Sequence, residues 1–304
     1  MGNICCLLDA CTVISLIYID SDGSLLKRMK KVEIKINDFV FSEIKDNVYI
    51  NLNSQFNSKY INRNALDNFR KEIDQRLTFF RSLKNDNEEL LRDVGDDYFD
   101  RISCYTAYSK KRNGELCSAA YALYLSRVFE KKVFFYTEDY PARMFFSRFF
   151  NFQQIGHIKD TVDFLILLYW LDESFSRRML ENYLSELYSH KILPVVGFKQ
   201  VLREFQSTKV DGRFARENRS LVGNIKELVI KLDNLDFRSI NGHLDYFKSV
   251  RKKHGVFFNS IEKFFPIFEL EVGGDSPSLL EKITHVNDEI KKNQIFKWKD
   301  IFPA

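Results

Sequence analysis

The segment from residue 114 to residue 143, which reads GELCSAAYALYLSRVFEKKVFFYTEDYPAR, constrains the fold more than any other part of the chain. Its first half repeats apolar residues at roughly helical spacing and carries Glu115 in the first turn, where an acid favours the helix dipole. Its second half contains Val-Phe-Phe-Tyr-Thr, a run without alternation that is typical of a parallel strand covered on both faces. The segment therefore predicts a helix followed by a buried central strand of an α/β sheet.

Two acids, Glu138 and Asp139, come at the end of this strand, before a turn at Tyr140–Pro141. Open α/β sheets bind their ligands beyond the carboxyl ends of the strands. We therefore expect the chemistry of this protein at that edge of the sheet.

Further acids follow apolar elements earlier in the chain. Residues 4–8 predict a buried parallel strand that ends at Asp9, with a helix or turn beginning near Thr12. Glu43 comes just after the apolar residues 39–41, in a helical turn or a short strand. Any one of these acids by itself is usually a cap or a solvated residue. Carboxylates gathered at one side of a parallel sheet would repel one another unless they were protonated or neutralised, and such hard oxygen ligands select Mg²⁺ or Mn²⁺.

These acidic segments together resemble the motifs of PIN-domain nucleases, over about residues 1 to 190. CLLDACTVISL, with Asp9, is similar to the family's opening strand, acid and apolar helix start. FVFSEI contains Glu43 at the place of the second acid, and NGELCSAAYAL contains Glu115 in a Gly-Glu helix start. VFFYTEDYPAR resembles the strand that ends in Thr-Asp-Asp followed by Ala-Arg, with Asp139 as its last acid.

The chain departs from the family's pattern in three places. Glu138 stands where the family often has Asp, and Cys11 stands where many members have Asn or Ser. With Cys11 a polar contact behind the carboxylates would be missing. The helical stretch between Glu43 and Glu115 is also longer than a compact member needs.

The resemblance implies metal-dependent hydrolysis of a phosphodiester, most often in RNA, by an endoribonuclease of toxin or defence type with one or two Mg²⁺ or Mn²⁺ ions. It implies that Asp9, Glu115 and Asp139 bind the metal directly or through water. Glu43 would complete the catalytic cluster or orient the attacking water. The residues expected to support these carboxylates or to contact the phosphate are Thr12, Thr137 and Glu138.

Positive charge is concentrated locally, although the formal net charge is only +4. Residues 199–253 contain thirteen Lys and Arg against seven Asp and Glu, which favours a platform for a nucleic-acid backbone or an acidic partner, or else a solvated face. The residues expected to bind nucleic acid are Lys110, Lys111 and Arg112 before Glu115, Arg143 after Asp139, and Arg213, Arg216, Arg219 and Arg251 in the C-terminal region.

Two tightly joined parts are expected, because 12 Gly and 5 Pro in 304 residues leave little linker material. Residues 1–193 predict a PIN-like α/β domain, a parallel sheet flanked by helices, with a helical insertion at about residues 60–110. One long amphipathic helix is expected over residues 64–91. After a boundary at Pro194–Gly197, residues 194–304 predict a mostly α-helical domain whose apolar end, residues 295–302, docks back.

The setting and the partners are inferred from composition. Five cysteines without a CxxC pair indicate free, buried thiols in a reducing cytoplasm, and the scattered histidines argue against a zinc site. The apolar stretch over residues 4–19 is too short to span a bilayer and is interrupted by Asp9, so no membrane partner is expected. RNA is the expected partner, and an inhibitory or regulatory protein and a second copy of the chain are further candidates.

Two other interpretations stay open. An Asp after the first strand also suggests a haloacid dehalogenase-like phosphatase, but that family needs a second Asp as general acid at the position of Cys11. A catalytically silent PIN-like module that binds nucleic acid or protein is compatible with the same pattern. Metal-dependent cleavage of RNA, as opposed to binding alone, would separate the enzyme from the silent module.

Overall fold

Five parallel strands form one sheet in the computed structural model of the chain, which describes residues 3–55, 63–85, 88–108, 112–237, 240–265 and 279–301. Their order across the sheet is β3-β2-β1-β4-β5. The strands are β1 Ile4–Leu8, β2 Glu33–Asn37, β3 Lys84–Asn85, β4 Lys132–Tyr136 and β5 Gly156–Lys159. The prediction of an α/β fold with a parallel sheet flanked by helices and a helical C-terminal region is confirmed.

Helices connect the strands and make up the rest of the fold. Up to the long helix α10 they are α1 Ala10–Ile19, α2 Ser24–Met29, α3 Asp38–Gln55, α4 Arg63–Ser82, α5 Glu88–Val94, α6 Asp97–Thr106, α7 Gly114–Val128, α8 Tyr140–Phe152, α9 Thr161–Leu171 and α10 Arg177–Lys209. Those that follow are α11 Gly212–Glu217, α12 Arg219–Asp233, α13 Ile240–Ser249, α14 Gly255–Ile261, a 3₁₀ turn at Glu262–Phe264, α15 Leu279–Lys291 and α16 Trp298–Ile301.

Strand β1 is the central strand, and it is paired on both sides. Cys6 lies opposite Ile34 of β2 and opposite Phe134 of β4. Residues 5–8 of β1 are fully or almost fully buried, as an apolar strand covered by helices on both faces should be. The chain runs from β1 to β2 on one side and later adds β4 on the other, so the strand order reverses between β1 and β4.

The helical insertion is divided where the sequence predicted one continuous helix. Helix α4 ends at Ser82, and Lys84 then pairs with Ile36 of β2 as part of β3. The sheet's backbone hydrogen bonds replace those that a continued helix would have made. Helices α5 and α6 complete the insertion.

The chain divides into two compact units, residues 1–187 with 287–304, and residues 188–286. The sequence pointed instead to Pro194–Gly197 as the boundary, because proline usually ends a helix. Helix α10 continues through Pro194 to Lys209. Val195 and Phe198 lie in the helical turn that follows the proline, and both are buried in the core of the second unit. This packing stabilises the helix despite the backbone hydrogen bond that the proline cannot make.

The C-terminal segment belongs to the first unit, as the expected docking of the apolar end requires. The Trp298 ring packs edge-on against Trp170, with ring centroids 5.0 Å apart. Lys297 is buried, and its Nζ donates to the backbone carbonyls of Asp172 at 3.1 Å and Glu173 at 2.8 Å.

The most apolar helix, α9, is buried inside the first unit. Its buried residues include Phe164, Leu165 and Leu168. Across the ranges given above, the helices are all too short or too polar to cross a bilayer. The five cysteines all carry free thiols, as the sequence predicted, but only Cys5, Cys6 and Cys117 are also buried as expected, whereas Cys11 is half-buried and Cys104 is exposed.

Candidate carboxylate site

Asp9 and Asp139 lie at the edge of the sheet where the strand order reverses. Asp9 directly follows β1, and its backbone N–H donates to the carbonyl of Tyr136, the last residue of β4, at 3.0 Å. Asp139 follows Tyr136 closely and is the N-cap residue directly before α8. Open parallel sheets bind ligands at such a reversal, because the helices leave in opposite directions and open a crevice.

The Asp9 carboxylate is 3% exposed, and its two oxygens differ in environment. Oδ2 accepts hydrogen bonds from Thr137 Oγ1 at 2.7 Å and from the Cys11 thiol at 3.2 Å. Oδ1 is buried without a hydrogen-bond partner. Burial raises the pKa of Asp9, the two side-chain hydrogen bonds oppose this, and the nearby charge of Asp139 raises it further.

Glu43, on α3, is in contact with the start of α7. Its Oε1 accepts a hydrogen bond from the Gly114 backbone N–H at 3.2 Å. A Cβ at position 114 would lie 2.8 Å from Glu43 Oε2 and 2.9 Å from Val40 Cγ2, so only glycine lets the two helices approach this closely. Burial raises the pKa of Glu43, and the charges of Asp9 and Asp139 add to the effect.

Glu115 occupies the first turn of α7, one residue after Gly114. Burial, followed by the charge of Asp9, raises its pKa to about 8, and Asp139 and Glu43 contribute as well. All three other carboxylates therefore lie near enough to Glu115 to oppose its ionisation. The structure brings the four predicted acids to one edge of the sheet.

Asp139 also has a structural role as the N-cap of α8. Its Oδ1 accepts the Ala142 N–H at 2.8 Å. Its own backbone N–H donates to Thr137 Oγ1 at 3.0 Å, and the Thr137 hydroxyl donates in turn to Asp9. Thr137 thus links the two aspartates, in agreement with its predicted contact with a carboxylate.

Three other residues near the cluster differ from the expectation. Thr12 donates to the backbone carbonyl of Tyr136 at 3.1 Å, so its hydroxyl joins α1 to β4 instead of binding a carboxylate. Glu138 accepts hydrogen bonds from Ser15 and Thr161, which belong to α1 and α9. Cys11 does make a polar contact behind the carboxylates, although none was expected from a cysteine at this position. Its thiol donates to Asp9 and accepts the Glu138 N–H at 3.1 Å.

Sequence reasoning missed Asn37, the last residue of β2, which is 2% exposed. Its Oδ1 accepts the Val40 N–H at 2.9 Å, and its Nδ2 donates to the Gly114 carbonyl at 3.2 Å and to Ser118 Oγ at 2.7 Å. Asn37 therefore joins the starts of α3 and α7, the helices that carry Glu43 and Glu115. The available signal was an Asn between an apolar strand and a helix start, a common N-cap position.

The basic residues of the first unit are partly engaged in other contacts. Arg112 is exposed, bonds Asp96 at 2.9 Å and lies over the Phe99 ring at 3.7 Å from its centroid. Arg143 pairs with the buried Asp160 at 3.7 Å, so its charge is committed to an ion pair that was not predicted. Lys110 and Lys111 lie outside the described residues.

The four predicted basic residues of the second unit are exposed, and several of them have partners. Arg213 pairs with Glu217 at 3.0 Å, and Arg216 donates to the Gly212 carbonyl at 3.0 Å. The contacts of Arg251 are Glu262 at 3.7 Å and the Phe258 ring at 4.8 Å from its centroid, and Arg219 is exposed at the start of α12. Exposed ion pairs of this kind are weak, so these arginines can exchange partners for a phosphate.

The carboxylate oxygens of the acidic edge are of the kind that binds a divalent cation. Among the described residues, however, no three acidic, histidine or cysteine side chains lie close enough together to hold a metal ion. Carboxylates that are not neutralised repel one another, and a cation would draw them together. The buried, unpartnered Oδ1 of Asp9 is the feature that a metal would satisfy, because leaving such an atom without a partner is costly. Hard oxygen donors of this type fit Mg²⁺ or Mn²⁺.

Comparisons with protein-family models, with curated proteins and with solved structures find no match to this chain. The fold and the site define an α/β protein with an acidic cluster at the reversal of its strand order. The resemblance to PIN-domain nucleases rests on the motif residues themselves.

Proposed function

We propose that this protein is a divalent-metal-dependent nuclease of the PIN type that hydrolyses phosphodiester bonds in RNA as an endoribonuclease. The observation that carries the proposal is the acidic edge at β1 and β4, where burial raises the pKa of Asp9, Glu43 and Glu115 and the nearby charge of Asp139 adds to each of these shifts. Four carboxylates that share one partly buried edge destabilise the fold unless they serve a cation or a reaction.

The residues of the chain divide the work as follows. Asp9, Glu115 and Asp139 would hold Mg²⁺ or Mn²⁺, which supplies an activated water and neutralises charge on the scissile phosphate. Thr137 and Cys11 orient Asp9 by binding Oδ2 and leaving Oδ1 for a ligand. Glu43 is held through Oε1 by the Gly114 N–H, and its other oxygen is available to orient the attacking water.

RNA is the proposed substrate, with Arg112 as the nearest described cation on the segment before Glu115. The exposed arginines of the second unit are further candidates for binding the phosphate backbone. Free thiols fit a reducing compartment, and we assign the protein to the cytoplasm, where a toxin or defence endoribonuclease acts. An inhibitory protein or a second copy of the chain would restrain such an enzyme.

The experiment is cleavage of a short, fluorescently labelled single-stranded RNA by the purified protein in Mn²⁺, in Mg²⁺ and in EDTA. Asp9→Asn and Asp139→Asn should each lose cleavage by more than about a hundredfold, because each removes a charged ligand. Asp100→Asn, which changes an exposed acid of α6, is the matched control and should cleave normally. Unchanged cleavage by Asp139→Asn would contradict the mechanism.

A catalytically silent binding module is the second candidate. It is favoured by the finding that the described carboxylates are not gathered closely enough to hold a metal as they stand. Its signature in the same experiment is retardation of the RNA in a gel without cleavage in any of the three conditions.

A further inference from the structure

We propose that Tyr108 is a positioning residue that fixes the Glu115 carboxylate for metal binding, through a hydrogen-bond chain that starts at the first turn of α7. This inference rests on the proposed function. Tyr108 lies outside the acidic motifs, and Asn113 precedes the Gly114–Glu115 pair in one of them.

Which group donates in each of these hydrogen bonds follows from the capping of α7. Asn113 is the N-cap, and its Oδ1 accepts the Leu116 N–H at 3.2 Å. Because the amide oxygen is used in this way, the Nδ2 group must face Tyr108, and it donates to the phenolic oxygen at 2.9 Å. The single hydroxyl hydrogen of Tyr108 is then directed to Glu115 Oε2, which lies 3.4 Å away.

The Tyr108 ring is held rigidly by packing. The residue is 1% exposed, and its ring lies against Phe146 at 4.8 Å and Phe145 at 5.7 Å between centroids. A fixed donor at Oε2 restricts the rotation of the Glu115 carboxylate.

The hydrogen bonds from Asn113 to Tyr108 and from Tyr108 to Glu115 therefore orient the Glu115 carboxylate, as Thr137 and Cys11 orient that of Asp9. In both acids one carboxylate oxygen accepts a hydrogen bond from a buried hydroxyl, Thr137 for Asp9 and Tyr108 for Glu115. Groups that orient metal ligands in this way commonly change metal affinity by about 10-fold to 100-fold when they are removed.

The test is Mn²⁺ binding by the full-length protein, measured from the loss of the free Mn²⁺ signal in electron paramagnetic resonance at fixed pH. Tyr108→Phe keeps the ring and removes only the hydroxyl, and it should bind Mn²⁺ about tenfold more weakly than the wild type. Tyr124→Phe is the matched control. It removes the hydroxyl of another buried tyrosine, one that donates to Asp93, and should leave the Mn²⁺ affinity unchanged.

Asn113→Ser provides a second variant that does not alter the core. Serine still caps α7 but cannot reach Tyr108, so affinity should fall by a smaller factor, about threefold. Thermal unfolding without metal separates positioning from packing, because Tyr108→Phe should lower Mn²⁺ affinity more than Tyr124→Phe at a comparable change in melting temperature.

The outcomes distinguish this inference from the proposed function. If the wild type binds Mn²⁺ and cleaves RNA but Tyr108→Phe has the same Mn²⁺ affinity, Tyr108 is not a positioning residue and the nuclease assignment stands. If Tyr108→Phe does not fold, unchanged affinity in Asn113→Ser refutes the inference. If the wild type neither binds Mn²⁺ nor cleaves RNA, both proposals are wrong.

Discussion

The raised pKa of Glu115 predicts that the metal-free protein loses stability as the pH rises. An acid whose pKa is higher in the folded state keeps its proton there while the unfolded chain has already released it. For Glu115 this difference begins near its ordinary pKa of 4.5 and is complete above about 8. The free energy of unfolding should therefore fall across that interval.

The size of the effect follows from the shift. Raising the pKa from 4.5 to about 8 corresponds to at most about 5 kcal/mol, since each tenfold change in acid dissociation is worth about 1.4 kcal/mol. Asp9, Glu43 and Asp139 share the repulsion, so one substitution recovers only part of it. Glu115→Gln should stabilise the metal-free protein at pH 9 by about 2–3 kcal/mol relative to its effect at pH 5.

The assay is urea unfolding in EDTA between pH 5 and 9 for the wild type and for Glu115→Gln. Glu89→Gln, at an exposed acid of α5, is the control and should follow the wild type. Addition of Mn²⁺ should stabilise the wild type most at high pH, where the carboxylates are charged, and should stabilise Glu115→Gln less. A wild-type stability that does not fall between pH 5 and 8, or an equal fall in Glu115→Gln, would refute the reasoning.

Three further predictions follow from particular contacts. Gly114→Ala should destabilise the protein by about 1–3 kcal/mol and impair cleavage, because the new Cβ meets the side chains of Glu43 and Val40. Gly212→Ala, which has open space around the new Cβ, is the control and should do neither. Equal thermal stability of the two variants would contradict the close approach of the helices at Gly114. Cys11→Ser should keep most of the cleavage activity because its hydroxyl can still donate to Asp9, and Cys11→Ala should lose more, as initial rates on the labelled RNA would show. The third prediction changes four arginines of the second unit to Gln together, namely Arg213, Arg216, Arg219 and Arg251. This should weaken RNA binding and lower the slope of log affinity against log salt by about 0.7 to 0.9 for each lost phosphate contact, while cleavage of a saturating short RNA is retained. If RNA affinity and slope do not change, the helical region of the second unit serves a protein partner or self-association.

Much of the fold could be predicted from local patterns. Strands β1 and β4 and helices α7 and α9 are recognisable because their apolar residues repeat with the period of the element or run without interruption. Strands β2, β3 and β5 were not recognised. Strands β3 and β5 are only 2 and 4 residues long, and their side chains are mostly polar, so they are strands only because a neighbouring strand offers hydrogen bonds.

The candidate site divides in the same way. Asp9, Glu43, Glu115 and Asp139 were identified from the sequence because each follows a recognisable apolar element, and a parallel sheet brings such positions to one edge. Which other residues contact them was not readable. The Thr12 hydroxyl binds a backbone carbonyl, and Arg143 pairs with Asp160, although both were expected to face the substrate or the acids.

The physical reason is the range of the interactions. Periodicity and capping act between residues a few positions apart, so the sequence by itself determined the parallel sheet, its central strands and the edge on which the acids lie. The contacts of Glu43 with Gly114 and of Asn37 with Ser118 join residues far apart in the chain, and the Tyr108 ring reaches Phe146 only after the helices have packed. Close packing decides such contacts, and only the tertiary structure therefore decided which groups donate hydrogen bonds to Asp9, Glu43 and Glu115.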